Sequence, residues 1–229
     1  MRAVLIEDLS YPINDELVID GDNFHHLKNV LRIKKGKELL LLNGKGLKAL
    51  TEVIEIQKKL IKVAIKSQSL EEQTAFLDLF VGRVKKDAMD LVLKQACELN
   101  IRKIIIGRTE FSQSYDLNLK RLKALLKSAV EQSNILYIPE VIEGELNALN
   151  DYENIIYFSS IGTDKKKSLS LKEKTILVFG PEGGLSEIEE DFILKKEGSS
   201  VFHLNTGIMR TTTAVSCGVG FYLGAISQK

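Results

Sequence analysis

At 229 residues, with 44% hydrophobic and 28% charged side chains, the chain has an ordinary globular composition and enough apolar material for a sizeable core. Those figures exclude disorder, collagen-like repeats and coiled-coil fibres, and leave one large domain or a standard domain with a small appendage. Lysine and arginine number 32 against 31 acidic residues, a net charge of +1, which excludes a histone-like polycation while leaving room for a local basic face.

The opening run, Met1-Arg2-Ala3-Val4-Leu5-Ile6-Glu7-Asp8, lacks the apolar centre of a signal peptide, and no run approaches bilayer-crossing length. A soluble, cytoplasmic protein is expected. Up to about residue 70, short apolar segments recur between turn residues, at 3–6, 17–19, 39–42, 50–56 and 60–65. Several alternate, as in Val53-Ile54-Glu55-Ile56, and predict a small β-barrel or curled sheet. One helix interrupts it over residues 22–33, with Phe24, Leu27, Val30 and Leu31 on one face. The polar, acidic stretch 67–74 reads as a linker.

Beyond it the periods lengthen. Apolar strands at 76–81, 103–106, 155–158, 176–179 and 201–204 alternate with helices at 86–99, 118–133, 187–196 and 209–226. Met89, Val92, Leu93 and Ala96 share a face of the first helix, and Leu119, Leu122, Leu126, Ala129 and Val130 a face of the second. Ser186 and Glu189 form a capping box before the third. Continuous apolar strands between helices predict a parallel sheet covered on both faces, so the fold class is α/β, preceded by a small β domain.

Cys97 and Cys217 both lie in apolar, helix-like stretches and read as buried reduced thiols. The three histidines, His25, His26 and His203, have no zinc spacing, so no metal is expected. His25 and His26 at a helix start read as packing or capping groups, with RNA phosphate contact the alternative, and His203 within a strand reads as structural. Lys165-Lys166-Lys167 reads first as a surface loop and second as an RNA contact.

Three glycine-bearing loops compete for a ligand. Gly44-Lys45-Gly46-Leu47-Lys48-Ala49 matches G-x-G-x-x-[GA] as a string, but the residues after it alternate like a strand instead of opening a helix, so it reads as a hairpin turn. Phe179-Gly180-Pro181-Glu182-Gly183-Gly184-Leu185-Ser186 leaves the carboxyl end of a buried strand, where open α/β sheets bind ligands. Downstream, Leu204-Asn205-Thr206-Gly207-Ile208-Met209-Arg210-Thr211 again joins a strand end to a helix start and encloses one arginine. Two such loops in one sheet predict a ligand cleft. There is no Walker-type loop, and no glycine cluster follows the first α/β strand, which argues against a Rossmann dehydrogenase or methyltransferase.

The ordered pair Gly180-Pro181-Glu182-Gly183-Gly184 and Leu204…Ile208-Met209-Arg210-Thr211…Thr213-Ala214 resembles the RsmE family of SPOUT-class RNA methyltransferases, which methylate N3 of a uridine in 16S ribosomal RNA. His25-His26-Leu27…Val30-Leu31-Arg32 with Gly36, Lys86-Asp87-Ala88-Met89-Asp90…Lys94-Gln95-Ala96-Cys97-Glu98-Leu99, and Ala129-Val130-Glu131-Gln132-Ser133 with Pro139 extend the resemblance over the whole chain. Three positions depart from it. Ile135 stands where the family usually has arginine, Thr212 where it has glutamate, and Asn205 where it has glycine.

The resemblance implies a PUA-like β-barrel over residues 1–70 and a SPOUT domain with a C-terminal trefoil knot over residues 71–229. It also implies a homodimer, and S-adenosylmethionine held by Gly180, Glu182, Gly183, Gly184, Leu204, Asn205, Ile208 and Met209. The implied substrate is 16S ribosomal RNA in the small ribosomal subunit, with neither metal nor membrane involved. Two alternatives keep the fold. One is a noncatalytic RNA-binding homologue that has lost activity through Thr212 and Ile135, and the other is a SPOUT enzyme with another RNA target.

Three residue-level expectations follow. Between residues 22 and 48 the basic groups are Lys28, Arg32, Lys34, Lys35, Lys37, Lys45 and Lys48, against Asp22 and Glu38 alone, so Arg32, Lys34, Lys35 and Lys37 are expected to meet RNA phosphate. Thr212, Ser216, Gly220 and Gly224 recur every four residues and suit close helix packing, either across a dimer or onto the chain's own sheet. Arg210 is the expected catalytic residue, with Glu182, Glu131 or solvent taking the proton.

Overall fold

A computed structural model describes residues 2–159 and 174–227. It separates into two compact units, one of residues 1–74 with 126–138 and one of residues 75–125 with 139–229. Lys165-Lys166-Lys167 lies outside the described residues.

The first unit is a five-stranded sheet. Its strands are β1 (Arg2–Leu5), β2 (Glu16–Ile19), β3 (Glu38–Leu42), β4 (Leu47–Ile56) and β5 (Ile61–Leu70), in the order β1-β3-β4-β5-β2. β1 runs parallel to β3, and the other pairings are antiparallel. Along β4 buried residues alternate with partly exposed ones from Leu47 to Ile54, the signature of a strand with one face on the core. Residues 67–70, expected as linker, instead extend β5, because Leu47 through Leu50 give them a ladder to pair with.

The helix expected over residues 22–33 is also different. A single α-helical turn, α1 (Gly21–His25), runs into a π-helical turn at His26–Val30. Phe24 and Leu27 are buried as expected, but Val30 is 66% exposed. The wider i→i+5 turn carries the third apolar position of a 3.6-residue pattern off the core.

Helix α3 (Leu119–Ser133) begins among the residues of the second unit, while residues 126–138 belong to the first. There Glu131 accepts the Leu5 backbone N–H at 2.9 Å, and Lys127 donates to Asn23 at 2.8 Å. Gly46 N–H reaches the Leu136 carbonyl at 3.0 Å and Ile138 N–H the Gly44 carbonyl at 3.1 Å. Periodicity shows that a segment is helical, and it carries no information about which core receives each turn.

The second unit is a six-stranded parallel sheet ordered β11-β9-β10-β6-β7-β8. Its strands are β6 (Leu77–Gly82), β7 (Lys103–Gly107), β8 (Glu140–Gly144), β9 (Asn154–Phe158), β10 (Thr175–Phe179) and β11 (Ser199–Phe202). Helices α2 (Lys86–Glu98), α4 (Glu187–Leu194) and α5 (Thr211–Ser227) lie between strands or close the unit. Every pairing in this sheet is parallel. β6 and β10 are buried along their whole length and are apolar but for Thr175 and Asp78, whose carboxylate is paired with Arg102 at 2.8 Å and accepts from the Tyr152 hydroxyl at 2.6 Å. β8 is absent from the sequence reading because Glu140-Val141-Ile142-Glu143-Gly144 has two apolar residues and sits at the sheet edge.

Chain order along the sheet turns back between β6 and β10. From β6 the strands step outward to β7 and β8, and from β10 to β9 and β11. Ligands of open α/β sheets sit at the carboxyl ends beside such a reversal.

One thiol departs from expectation. Cys97 is buried, but Cys217 is exposed. The buried face of α5 is Val215, Gly218, Val219 and Tyr222, which leaves position 217 on the opposite side. Among the described residues no helix is long and apolar enough to cross a membrane.

Candidate functional site

The loop after β10 emerges at the reversal point and is shaped by close backbone approach. A Cβ on Gly82, the last residue of β6, would lie 2.4 Å from Pro181 Cδ, and one on Gly180 would lie 2.9 Å from the Gly184 carbonyl carbon. Gly184 has φ +77°, the left-handed region glycine enters without strain, and its N–H closes the turn onto the Pro181 carbonyl at 2.9 Å. The Thr211 hydroxyl donates to the Gly180 carbonyl at 3.2 Å and ties the start of α5 to this loop.

Between this loop and residues 203–209 lies a cleft of about 710 Å³, its solvent mouth included. Phe158, Phe179, Leu204, Ile208, Met209 and Ala214 give it apolar walls. Ser159, Glu182, His203, Thr206 and Thr211 add polar groups. This composition suits an S-adenosyl group, whose adenine needs apolar walls and backbone partners and whose cationic end is favoured beside a carboxylate such as Glu182. Among the described residues no group of three or more His, Cys, Asp and Glu side chains could hold a metal ion.

Of the residues expected to hold the cofactor, Gly180, Glu182, Gly184, Leu204, Ile208 and Met209 line the cleft, while Gly183 and Asn205 do not. Arg210 is exposed and sits between Met209 and Thr211, both of which line the cleft. Ile208 is 94% exposed at its lip. His203, read from sequence as a structural strand residue, lies just beyond β11 and lines the cleft, with Nδ1 3.2 Å from the Ser159 carbonyl oxygen. The strand begins at Ser199, two residues earlier than its apolar run, and therefore ends earlier.

Tyr157 also lines the cleft, and nothing in its apolar surroundings marked it in the sequence. Its hydroxyl donates to Glu190 at 2.5 Å, and burial, then this bond, push its ionisation well above the usual tyrosine range. It is therefore a neutral wall with a fixed orientation.

At the carboxyl ends of β6, β7 and β8 a second cluster forms. Arg83, buried, donates to the Tyr115 carbonyl at 2.6 Å and pairs with Glu143 at 2.9 Å. Exposed Arg108 pairs with the same Glu143 oxygen at 2.5 Å. The Arg108 hydrogen bond is the main cause holding the Glu143 carboxyl below the usual carboxylate range.

In the first unit Arg32, Lys34, Lys35 and Lys37 are all exposed. Arg2, Arg32, Lys34 and Lys37 surround a shallow cleft over Leu31 and Ile33. Its one acid, Glu38, is paired with Lys66 at 3.0 Å. Arg32 has φ +48°, and Gly36 N–H and the Lys37 carbonyl bind both backbone groups of Val53 in β4, which fixes the basic loop to the sheet.

Comparison with known proteins adds the family. Residues 71–220 match the model of an RNA methyltransferase domain, and residues 19–66 that of an RNA methyltransferase PUA domain. A ribosomal RNA small subunit methyltransferase E of Rickettsia conorii is 30% identical over 88% of this chain and 86% of its own. A protein named ribosomal RNA small subunit methyltransferase E 2, from Borreliella burgdorferi, is 28% identical over 97% and 96%. A methyltransferase E structure from Neisseria gonorrhoeae, bound to S-adenosyl methionine, covers 99% of this chain and 98% of its own with a TM-score of 0.81 at 21% identity.

Proposed function

The chain belongs to the ribosomal RNA small subunit methyltransferase E family, and from that premise we propose that it transfers a methyl group from S-adenosylmethionine to N3 of a uridine in 16S ribosomal RNA. The observation that carries this reading is the cleft at the carboxyl ends of β9, β10 and β11, where a glycine-rich loop and residues 203–209 form an apolar, carboxylate-bearing site for the cofactor. The bound cofactor supplies an electrophilic methyl on a sulfonium, a good leaving group that needs no metal.

The chain's own residues then have to make uracil N3 nucleophilic. Its proton is weakly acidic, and as it leaves, charge spreads onto O2 and O4. Arg210, at the start of α5, is the guanidinium that stabilises this developing anion more than the neutral base. Glu182, the cleft's own carboxylate, Glu131 or solvent takes the proton. Thr212 offers no carboxylate in this motif.

The surrounding features support the finer parts of the same reading. The basic residues Arg32, Lys34, Lys35 and Lys37 hold RNA phosphate through a PUA-like barrel. Gly220 and Gly224 on α5 have open space where a side chain would stand, while Gly218 takes the close contact with Phe179. The open stripe is the face of a homodimer, in which the SPOUT domain carries its trefoil knot. A ribosomal substrate places the enzyme in the cytoplasm.

The test is methylation of small ribosomal subunits from a strain lacking this protein, followed by mass mapping of the RNA. One methyl on a uracil ring at N3 is the expected product. Methyl on a ribose hydroxyl or on another RNA class would overturn the assignment. Sedimentation at micromolar concentration checks the dimer, which a stable monomer contradicts.

A further inference from the structure

Phe111 is 47% exposed, and single exposed apolar residues are ordinary on a protein surface. Its position is not ordinary. The loop that carries it leaves the carboxyl end of β7, on the ligand edge of the sheet, and Phe111 packs on Gly183. A Cβ at Gly183 would lie 3.0 Å from Phe111 Cβ and 3.4 Å from Cγ, so glycine at 183 lets the residue sit tightly against the cofactor loop. Glu182 and Gly184, on either side, both line the cleft.

The loop is also rigid. Ser112 Oγ accepts the N–H groups of Arg83 and Thr109 at 3.2 and 3.0 Å and donates to the Gly107 carbonyl at 3.1 Å. Gln113 N–H reaches the Arg83 carbonyl at 2.8 Å. One carboxylate fastens this loop to the segment after the glycines. Glu189 Oε1 accepts Glu110 N–H at 2.8 Å, and its Oε2 accepts Ser186 N–H at 2.9 Å. Phe111 and the cofactor loop are thereby held as one body.

We propose that Phe111 is the platform on which the target base stacks, an unpaired pyrimidine of the RNA presented to the methyl donor at loop 180–185. This rests on the methyltransferase reading above. A base whose Watson–Crick edge is to react must leave its helix, and it loses stacking when it does. An aromatic ring restores that stacking through the face of the base and leaves the in-plane edge, with N3, O2 and O4, open to the donor and to Arg210. A ring fixed in advance loses little freedom on binding, which is what a positioning surface requires.

The chain contains no tryptophan, so Phe111→Trp introduces a single indole whose emission reports stacking directly. Titration with a short single-stranded oligouridylate, in the presence of S-adenosylhomocysteine, is expected to quench that emission. In single-turnover methylation of small-subunit ribosomal RNA, Phe111→Leu keeps an apolar contact on Gly183 but loses the ring. It is expected to slow transfer about tenfold or more, the scale of losing one base–aromatic stack, with S-adenosylmethionine affinity within about twofold of wild type. Phe111→Tyr keeps the ring and is expected to recover most of the rate. Unchanged emission with bound RNA, a wild-type rate for Phe111→Leu, or loss of cofactor affinity in step with the rate would each overturn the proposal. Failure of the wild-type protein to methylate any RNA would instead overturn the activity, and the emission titration still decides the platform.

Discussion

The turn at Gly44–Gly46 and the loop at Gly180–Gly184 are both glycine-bearing connections at the end of a buried strand, and they use glycine for different ends. At the first, Gly44 and Gly46 have φ +71° and +98°, and a Cβ on Gly46 would meet the Glu71 carbonyl at 2.3 Å and the Tyr137 hydroxyl at 2.5 Å. The turn joins β3 to β4 in an antiparallel ladder, and the backbone groups of Gly44 and Gly46 are taken up by Leu136, Ile138 and Glu71. No ligand is needed to satisfy it. The second leaves a parallel strand, whose neighbours end level with it, so its backbone turns toward a cleft. A glycine motif therefore marks close approach, and the sheet it leaves decides whether the approaching group is the protein's own chain or a ligand.

The largest effect that would sharpen this contrast lies beside the second loop. Arg210→Lys keeps the charge but loses the planar fork, and is expected to lower single-turnover methylation about 10²-fold while leaving S-adenosylmethionine affinity close to wild type. A wild-type rate at saturating RNA would remove Arg210 from the chemistry. Next, Gly180→Ala forces the loop open and is expected to weaken S-adenosylmethionine about tenfold by calorimetry, the size of one lost contact set of ~1.4 kcal/mol. Gly46→Ala should do the reverse, lowering the unfolding free energy by about 3 kcal/mol with cofactor affinity unchanged. Equal loss of cofactor binding in both variants would break the comparison.

Smaller effects are expected in the first unit. Reversing charge at Lys34 and Lys35 together should weaken RNA binding several-fold at low salt and flatten the dependence of log K on log salt by about two. An unchanged slope would move the RNA to another face. The smallest signal is chemical. Burial first, then the neighbouring Glu98 charge, pushes the Cys97 thiol up to about 12, so at pH 8 it stays protonated and inert to a thiol reagent. Exposed Cys217 is expected to react at once, and Cys97 only after denaturation, in a timed thiol titration.

Much of the α/β unit was legible because a strand buried on both faces is apolar wherever its side chains lack a paired polar partner, as in β6 and β10 apart from the paired Asp78 and Thr175. The buried face of α2 was equally plain, since Met89, Val92, Leu93 and Ala96 recur at helical spacing. The glycine-rich loop was readable as a wall of a cleft because its context, strand before and capped helix after, is local. Less local features were hidden. The π-helical turn that exposes Val30, the edge strand β8 and the exposed Cys217 each depend on what lies across from them in space. His203 and Tyr157 carry no motif, and they join the cleft through the register of β11 and β9.

By itself the sequence determined the class of each half, the two loops at the carboxyl ends of β10 and β11, and a family resemblance later matched over residues 71–220 and 19–66. These are properties of composition and of neighbours along the chain. Tertiary structure alone decided that residues 126–138 serve the first unit and that Glu131 caps Leu5. It also decided that β11, β9 and β10 lie side by side, so that the loops after them meet at the cleft. The physical reason is that pairing between strands far apart in sequence is chosen by the mutual fit of buried faces, which no single segment encodes.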